Sequence, residues 1–217
     1  MHQYLFFIGN FPIRLYGIFF SLGIISGCIT AYFLLKKDRR GWESHMFDLG
    51  LVIAFAGIVG GRLWDVFFFD WEYYHNHLLE IPYIWQGGMA IQGGIIFACI
   101  AAYFYLKKHQ IPVLPFADTV TPGIILGQAI GRIANFMNGD AFGHPTGQDF
   151  GLLYPDTTLA YHTYGAQPLW PAEVWECQGD LLIFVLLLWY GCKTRAEGTT
   201  FCLYIMFYSL LRFFLEN

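Results

Sequence analysis

Apolar positions run along this chain in long unbroken stretches rather than in alternation. Leu15 to Leu35 is 21 residues without a charge. At 1.5 Å per residue, a helix of that length crosses a hydrocarbon core of roughly 30 Å. It stops at Lys36-Lys37-Asp38-Arg39-Arg40. Five further stretches follow. The second, about Phe47 to Gly61, runs into Arg62 and Asp65, and the third, about Gly87 to Leu106, is closed by Lys107-Lys108. The fourth, Leu114 to Ile130, contains Asp118, Pro122 and Gln128. The fifth, Leu181 to Cys192, ends at Lys193 and Arg195 and draws its N-terminal half from the mixed stretch beginning near Pro171. The sixth, Phe201 to Leu215, carries Arg212 near its end. The pattern predicts an all-α polytopic integral membrane protein with about six transmembrane helices. Met1 to Pro12 has no basic region before an apolar stretch and no small-residue cleavage site, so the first apolar run is expected to be retained.

Composition agrees and narrows the choice. Of 217 residues 56% are hydrophobic and 13% charged, where a soluble domain carries roughly 25% charged residues. A soluble enzyme is excluded, and a single transmembrane domain over 1–217 is expected. The net charge is −4 and the 12 Lys and Arg are not massed in one tract, so nucleic-acid binding has no electrostatic footprint. Eight of those 12, Lys36, Lys37, Arg39, Arg40, Lys107, Lys108, Lys193 and Arg195, fall in three short loops after the first, third and fifth stretches. The positive-inside rule makes those loops cytoplasmic. The N-terminus and the two longest connections, 65–85 and 132–170, then face the extracytoplasmic side. Both are too long to be passive turns, and function is expected there. Cys28, Cys99, Cys177, Cys192 and Cys202 form no CxxC or Cys/His metal spacing and read as small apolar residues, with no metal or cofactor implied.

The remaining basic residues, Arg14, Arg62, Arg132 and Arg212, sit at or just inside outer helix ends. A charge at membrane depth costs at least about 2.5 kcal/mol and is normally paired or functional. Arg14 reads as an interface anchor and Arg62 as a partner of Asp65 or another acidic neighbour. Gly60-Gly61 and Gly87-Gly88 read as sites of close helix packing. Around Arg132 the chain reads GRIANFMNGDAFGHPT. Arg132, Asn135 and Asn138 recur every three residues, aligning a guanidinium and two amides on one helical face before Gly139 ends the helix. Two readings are open: a helix cap under a solvated loop, or an anion site whose guanidinium fork suits phosphate oxygens.

That segment resembles the signature of prolipoprotein diacylglyceryl transferases, approximately G-R-x-x-N-F-x-N-G-E-x-x-G-x-x-T. Other marks of the family follow in order along nearly the whole chain: Leu15-Tyr16-Gly17, Gly60-Gly61-Arg62, the Gly-rich run from Trp85-Gln86 to Gly93-Gly94, Pro171-Ala172-Glu173-Val174-Trp175-Glu176, and Tyr208 to Glu216. The resemblance implies transfer of the diacylglyceryl group of phosphatidylglycerol to the lipobox cysteine thiol of a prolipoprotein, in the bacterial cytoplasmic (inner) membrane with the site facing outward. The substrate brings the nucleophile, and no cofactor is implied. By matching positions, Arg132, Arg212, Gln92 and Tyr16 carry catalysis. Asn135, Asn138, Gly143, Tyr208, Gly93 and Gly94 join Arg132 in binding substrate. Composition alone would make Tyr16 and Tyr208 aromatic-belt anchors; the motif context reverses that.

Two departures from the family pattern matter. Gln92 stands where the family usually has a histidine assigned to thiol activation, and an amide cannot take a proton; His144 is one candidate substitute. Family members also usually continue to a seventh helix, whereas the sequence stops at Asn217, as a naturally short or a cut chain would. The alternatives are a catalytically weakened homologue that binds anionic lipid and, with less support, a transporter. The charge distribution makes a direct prediction: an externally added thiol reagent should label a cysteine placed at Asn138 and miss one at Lys107. The reverse pattern would overturn the orientation.

Overall fold

The computed structural model describes residues 4–8, 11–84, 87–191 and 196–216. The sequence-stretch residues Trp85, Gln86, Cys192, Lys193 and Arg195, together with Asn217, lie outside them. A hairpin of β1 (Tyr4–Ile8) and β2 (Phe11–Arg14), paired antiparallel, leads into α1 (Leu15–Asp38). A 3-10 turn at Trp42–His45 opens α2 (Met46–Trp64), which runs on through a π turn at Asp65–Phe69. The short α3 (Trp71–Tyr74) and a 3-10 turn at Leu78–Glu80 precede α4 (Ile91–Lys108). Then come α5 (Val113–Asn138), α6 (Leu159–Tyr164), α7 (Ala172–Gly191) and α8 (Thr199–Glu216).

The six expected long helices are present as α1, α2, α4, α5, α7 and α8. Four stretches, Leu15–Asp38, Trp42–Phe69, Val113–Asn138 and Thr199–Glu216, are long and apolar enough to cross a membrane. The other two helices are diluted by polar residues, Gln92 and Lys107-Lys108 in α4 and Glu173, Glu176 and Asp180 in α7. Polarity is turned inside out relative to a soluble protein. Buried residues include Arg62, Asp118, Glu173, Glu176 and Asp180, while Phe20, Phe33, Phe55, Phe104, Trp189 and Phe214 are exposed. Such an exterior is stable only in hydrocarbon, where helices with satisfied backbones are the permitted spanning form. The chain is a multi-pass membrane protein.

The chain divides into two compact units, Met1–Asp38 with Ala117–Asn217, and Arg39–Phe116. In the first, α1 crosses α5 antiparallel with backbones nearly touching. A Cβ added at Gly27 would lie 2.7 Å from the Gly123 carbonyl oxygen, and one at Gly23 would lie 2.8 Å from that of Gly127. Two Gly-x-x-x-Gly stripes therefore face each other, the arrangement by which van der Waals packing joins helices in lipid. Asp118 fixes the start of α8, its carboxylate accepting the Gly198 and Phe201 N–H groups at 2.7 and 2.9 Å. The apolar core of this unit is Ile125, Ile183 and Leu187, with Leu203, Phe207 and Leu211 against it.

In the second unit α2 packs antiparallel on α4. Gly60 and Gly61 sit against Gly93 and Ala90, the close packing expected of them. Gly87-Gly88 does something else. Both residues are left-handed, with φ of 92° and 73°, and their carbonyls accept Arg62 Nη1 at 2.7 and 2.9 Å. Arg62 also donates to the Ile81 and Glu80 carbonyls at 2.8 and 3.1 Å and lies over the Tyr74 ring. Its expected partner Asp65 is 3.9 Å away. The guanidinium is thus held by four backbone carbonyls together with the expected ion pair to the buried Asp65, and the glycines supply the turn that aims two of those carbonyls.

The α1–α5 contact predicts that Gly27→Ala, which forces the helices apart, will cost about 1–3 kcal/mol. Gly50→Ala, with open space around it, should leave stability unchanged or slightly raised. Thermal unfolding in detergent would measure both.

Candidate active site

In the first unit α5 and α8 run in the same direction and α7 opposes them, which brings three polar faces together. On α7, Glu173, Glu176 and Asp180 share one face at helical spacing. All three are buried, Glu176 at 2% exposure. Arg132 Nη2 on α5 is 2.7 Å from Glu176 Oε1, and Arg212 Nη1 on α8 is 2.8 Å from Oε2. The Tyr208 hydroxyl donates to the same Oε1 at 3.1 Å and accepts from Arg132 Nη2 at 3.4 Å. Arg212 is further paired with Glu216 one turn on. One buried carboxylate therefore holds two guanidiniums from residues 80 positions apart. The arginines keep exposed surface, with side chains 22% and 35% accessible, so their outer N–H donors remain open to a ligand.

A second carboxylate organises the end of α5. Gly139 closes the helix at φ 73°, its N–H bonded to the Asn135 carbonyl at 2.9 Å. The next residue, Asp140, accepts Asn135 Nδ2 and Asn138 Nδ2, each at 2.6 Å. The two amides are thereby fixed, and Asn135 Oδ1 is turned toward Arg132 Nη1 at 3.5 Å. Tyr16 on α1 lies within electrostatic reach of Asp140 and stacks on Phe20.

The connection from 139 to 171 folds on itself. Gly143 N–H donates to the Trp170 carbonyl and Trp170 N–H to that of His144, both at 3.0 Å. A Cβ at Gly143 would sit 2.7 Å from the Trp170 oxygen, so Gly143 serves this pairing of loop strands. Tyr154, Ala160 and Leu169 form a small core beneath. The Tyr154 hydroxyl donates to Glu173 Oε1 and ties the loop to α7. Burial first, and then that carboxylate, push the Tyr154 phenol well above its ordinary range, so it remains a donor at any physiological pH.

Of the residues singled out from the sequence, Arg132, Asn135, Asn138, Tyr208 and Arg212 share this polar cluster, and Tyr16 and Gly143 border it. Gln92 belongs to the other unit, where it is exposed on the first turn of α4. Gly93 and Gly94 are occupied by packing against α2. His144 is exposed on the loop, its Nδ1 3.2 Å from the Tyr164 hydroxyl. Sequence reading gave no role to Glu176, Asp140 or Tyr154. For Glu176 a signal existed, since a carboxylate inside an apolar helix needs a cation, and Arg132 and Arg212 were the arginines at membrane depth given neither an acidic partner nor an anchoring role. Among the described residues no His, Cys, Asp and Glu cluster could hold a metal ion.

Comparison with known proteins gives a consistent result. A family model described as prolipoprotein diacylglyceryl transferase matches residues 3–217. A protein of Clostridium botulinum named phosphatidylglycerol–prolipoprotein diacylglyceryl transferase is 35% identical over 217 residues, covering 100% of this chain and 85% of its own. Proteins of the same name from Staphylococcus saprophyticus and Clostridium kluyveri are each 35% identical, covering 97% and 98% of this chain and 75% and 82% of theirs.

Proposed function

Because the chain belongs to the prolipoprotein diacylglyceryl transferase family, we infer that it moves the diacylglyceryl group of phosphatidylglycerol onto the lipobox cysteine of a prolipoprotein. The observation that carries this reading is the convergence of Arg132 and Arg212 on one buried carboxylate, with outer donors left for a phosphate. In the reaction the cysteine sulfur attacks the glyceryl carbon bonded to the phosphodiester oxygen. The C–S bond forms as the C–O bond breaks, and the electron pair leaves with glycerol phosphate. Negative charge accumulates on the departing oxygen, and two oriented guanidiniums are the groups suited to stabilise it. Asn135 and Asn138, fixed by Asp140, border the headgroup, and the Tyr208 hydroxyl holds Arg132 in register.

The proton to be removed is the thiol's. A thiol of pKa about 8.5 is partly ionised near neutrality, and nearby cations increase that fraction. Gln92 cannot be the base that removes it, since an amide takes no proton. The charge distribution supports a site on the extracytoplasmic face of a bacterial cytoplasmic membrane, where phosphatidylglycerol and exported prolipoproteins meet.

Incubating the purified protein with phosphatidylglycerol and a lipobox peptide should yield the thioether adduct, read by mass; no adduct under any lipid condition would overturn the reading. In that assay Arg132→Lys should lose activity about 10- to 100-fold, close to Arg132→Ala, because a point charge cannot reproduce the bidentate fork. Gln92→His should preserve or raise turnover and add a titration near pH ~6.5, which an amide cannot show. An inert wild type switched on by Gln92→His would instead mark a weakened homologue.

A further inference from the structure

In the connection between α5 and α7, Leu169 bridges antiparallel to Pro145 on one side and to Leu152 on the other. Leu152 exchanges both backbone bonds with Leu169, its N–H donating at 2.9 Å and its carbonyl accepting at 3.0 Å. In an antiparallel pair the residues flanking a doubly bonded position turn their backbone groups the other way. Leu153 therefore presents its N–H and C=O at an outer edge, and neither is hydrogen-bonded among the described residues. Its side chain is 65% exposed, and Phe150 nearby is 57% exposed. The segment is nonetheless fixed at both ends. Thr146 Oγ1 donates to the Phe150 carbonyl at 2.6 Å, and Tyr154 is tied to Glu173. Phe150 packs on Trp170 and Trp170 on Trp175, each pair with centroids 5.3 Å apart. An open edge carrying apolar side chains is a template for a further strand.

Resting on the transferase reading, we propose that the Leu153 edge, flanked by Phe150 and Trp170, docks the prolipoprotein segment that carries the acceptor cysteine as an extended strand. On α7 the exposed positions change from Gln178 to Leu181 and Leu182, which marks where hydrocarbon begins. Leu169 precedes Ala172, the start of α7, so the edge beside it lies outward of that boundary. In the reaction the acyl chains stay in hydrocarbon, whereas the peptide leaves toward water on this side. One peptide residue supplies both the acceptor and the donor that Leu153 calls for; a lipid ester carbonyl supplies an acceptor only. Main-chain bonds of this kind give affinity without dictating sequence, which suits an enzyme serving many substrates. The edge is also close to the chemistry. Tyr154, next to Leu153, holds Glu173, one turn from Glu176, and a strand advances about 3.3 Å per residue.

The test uses the full chain in detergent micelles with phosphatidylglycerol and lipobox peptides N-methylated at one amide at a time. One N-methyl group should raise KM for the peptide about tenfold, the effect of one lost hydrogen bond with its clash, while those on the amides either side leave it unchanged. Phe150→Ser and Leu153→Ser should raise peptide KM about three- to tenfold and leave kcat and the KM for phosphatidylglycerol as in wild type. If those variants do not fold, the N-methyl series on wild type carries the comparison. In parallel, benzoylphenylalanine in place of Phe150, which keeps an aromatic ring there, should photocrosslink a peptide with serine in place of the cysteine. Crosslinking that shows the same N-methyl pattern without any adduct from the parent peptide would remove the transferase reading and leave the docking edge standing. Uniform sensitivity or none across the N-methyl series would overturn the edge. So would variants that shift the KM for phosphatidylglycerol instead, which would make the patch a lipid contact.

Discussion

Glu176 is the ionic centre on which the first unit is assembled. Its two oxygens hold Arg132 from α5 and Arg212 from α8, and its own helix supplies the third wall. In a low-dielectric interior, removing one partner of such a pair typically costs 3–5 kcal/mol, because the charge left behind has no water to receive it. The three helices therefore cannot separate or slide without exposing an ion to hydrocarbon. The same constraint sets the electrostatics of the site: one carboxylate neutralises part of two guanidinium charges and orients their forks before any lipid arrives. Preorganisation of this kind is what makes fixed donors effective at a developing charge.

That arrangement needs helices held at short range without help from the hydrophobic effect, since lipid tails are as apolar as leucine. Glycine stripes supply the short range within each unit: Gly23 and Gly27 against Gly123 and Gly127 in one, Gly60 against Gly93 in the other. Asp118 adds a directional constraint by capping α8 from α5. With the start of α8 pinned at that level, Tyr204, Tyr208 and Arg212 follow at successive turns opposite Gln128, Arg132 and Glu176. The register of the site is thus set at the other end of the same helix pair.

Much of this was legible in the sequence because membrane helices leave a strong signal. Long apolar stretches, three of them closed by lysine- and arginine-rich loops, marked all six long helices, and the spacing of Arg132, Asn135 and Asn138 marked the polar face and its end at Gly139. What stayed hidden was pairing between distant residues. Nothing local to Glu176 says which cation it meets, and Asp140 looks like an ordinary loop residue until the helix end folds it back over both amides. Gly87-Gly88 was misjudged for a related reason. A glycine pair beside an apolar run fits helix packing as well as a turn, and only the position of Arg62 distinguishes them. The facing Gly-x-x-x-Gly stripes of α1 and α5 were visible as spacing, but neither stripe names its partner.

The exchange of a histidine for Gln92 is intelligible once the chemical load is divided. Removing a thiol proton is a modest task near neutrality, where a free thiol is already a few per cent thiolate. Expelling glycerol phosphate from an unactivated carbon is the harder part, and it calls for cations aligned on the leaving oxygen rather than for a base. A site built around two guanidiniums on a buried carboxylate invests its order in that harder step. Under the proposed function, a glutamine in place of the imidazole would lower the thiolate fraction available at a given pH and leave stabilisation of the departing phosphate intact. A disturbance of Glu176 would do the opposite, sparing the thiol while scattering the two charges the leaving group requires.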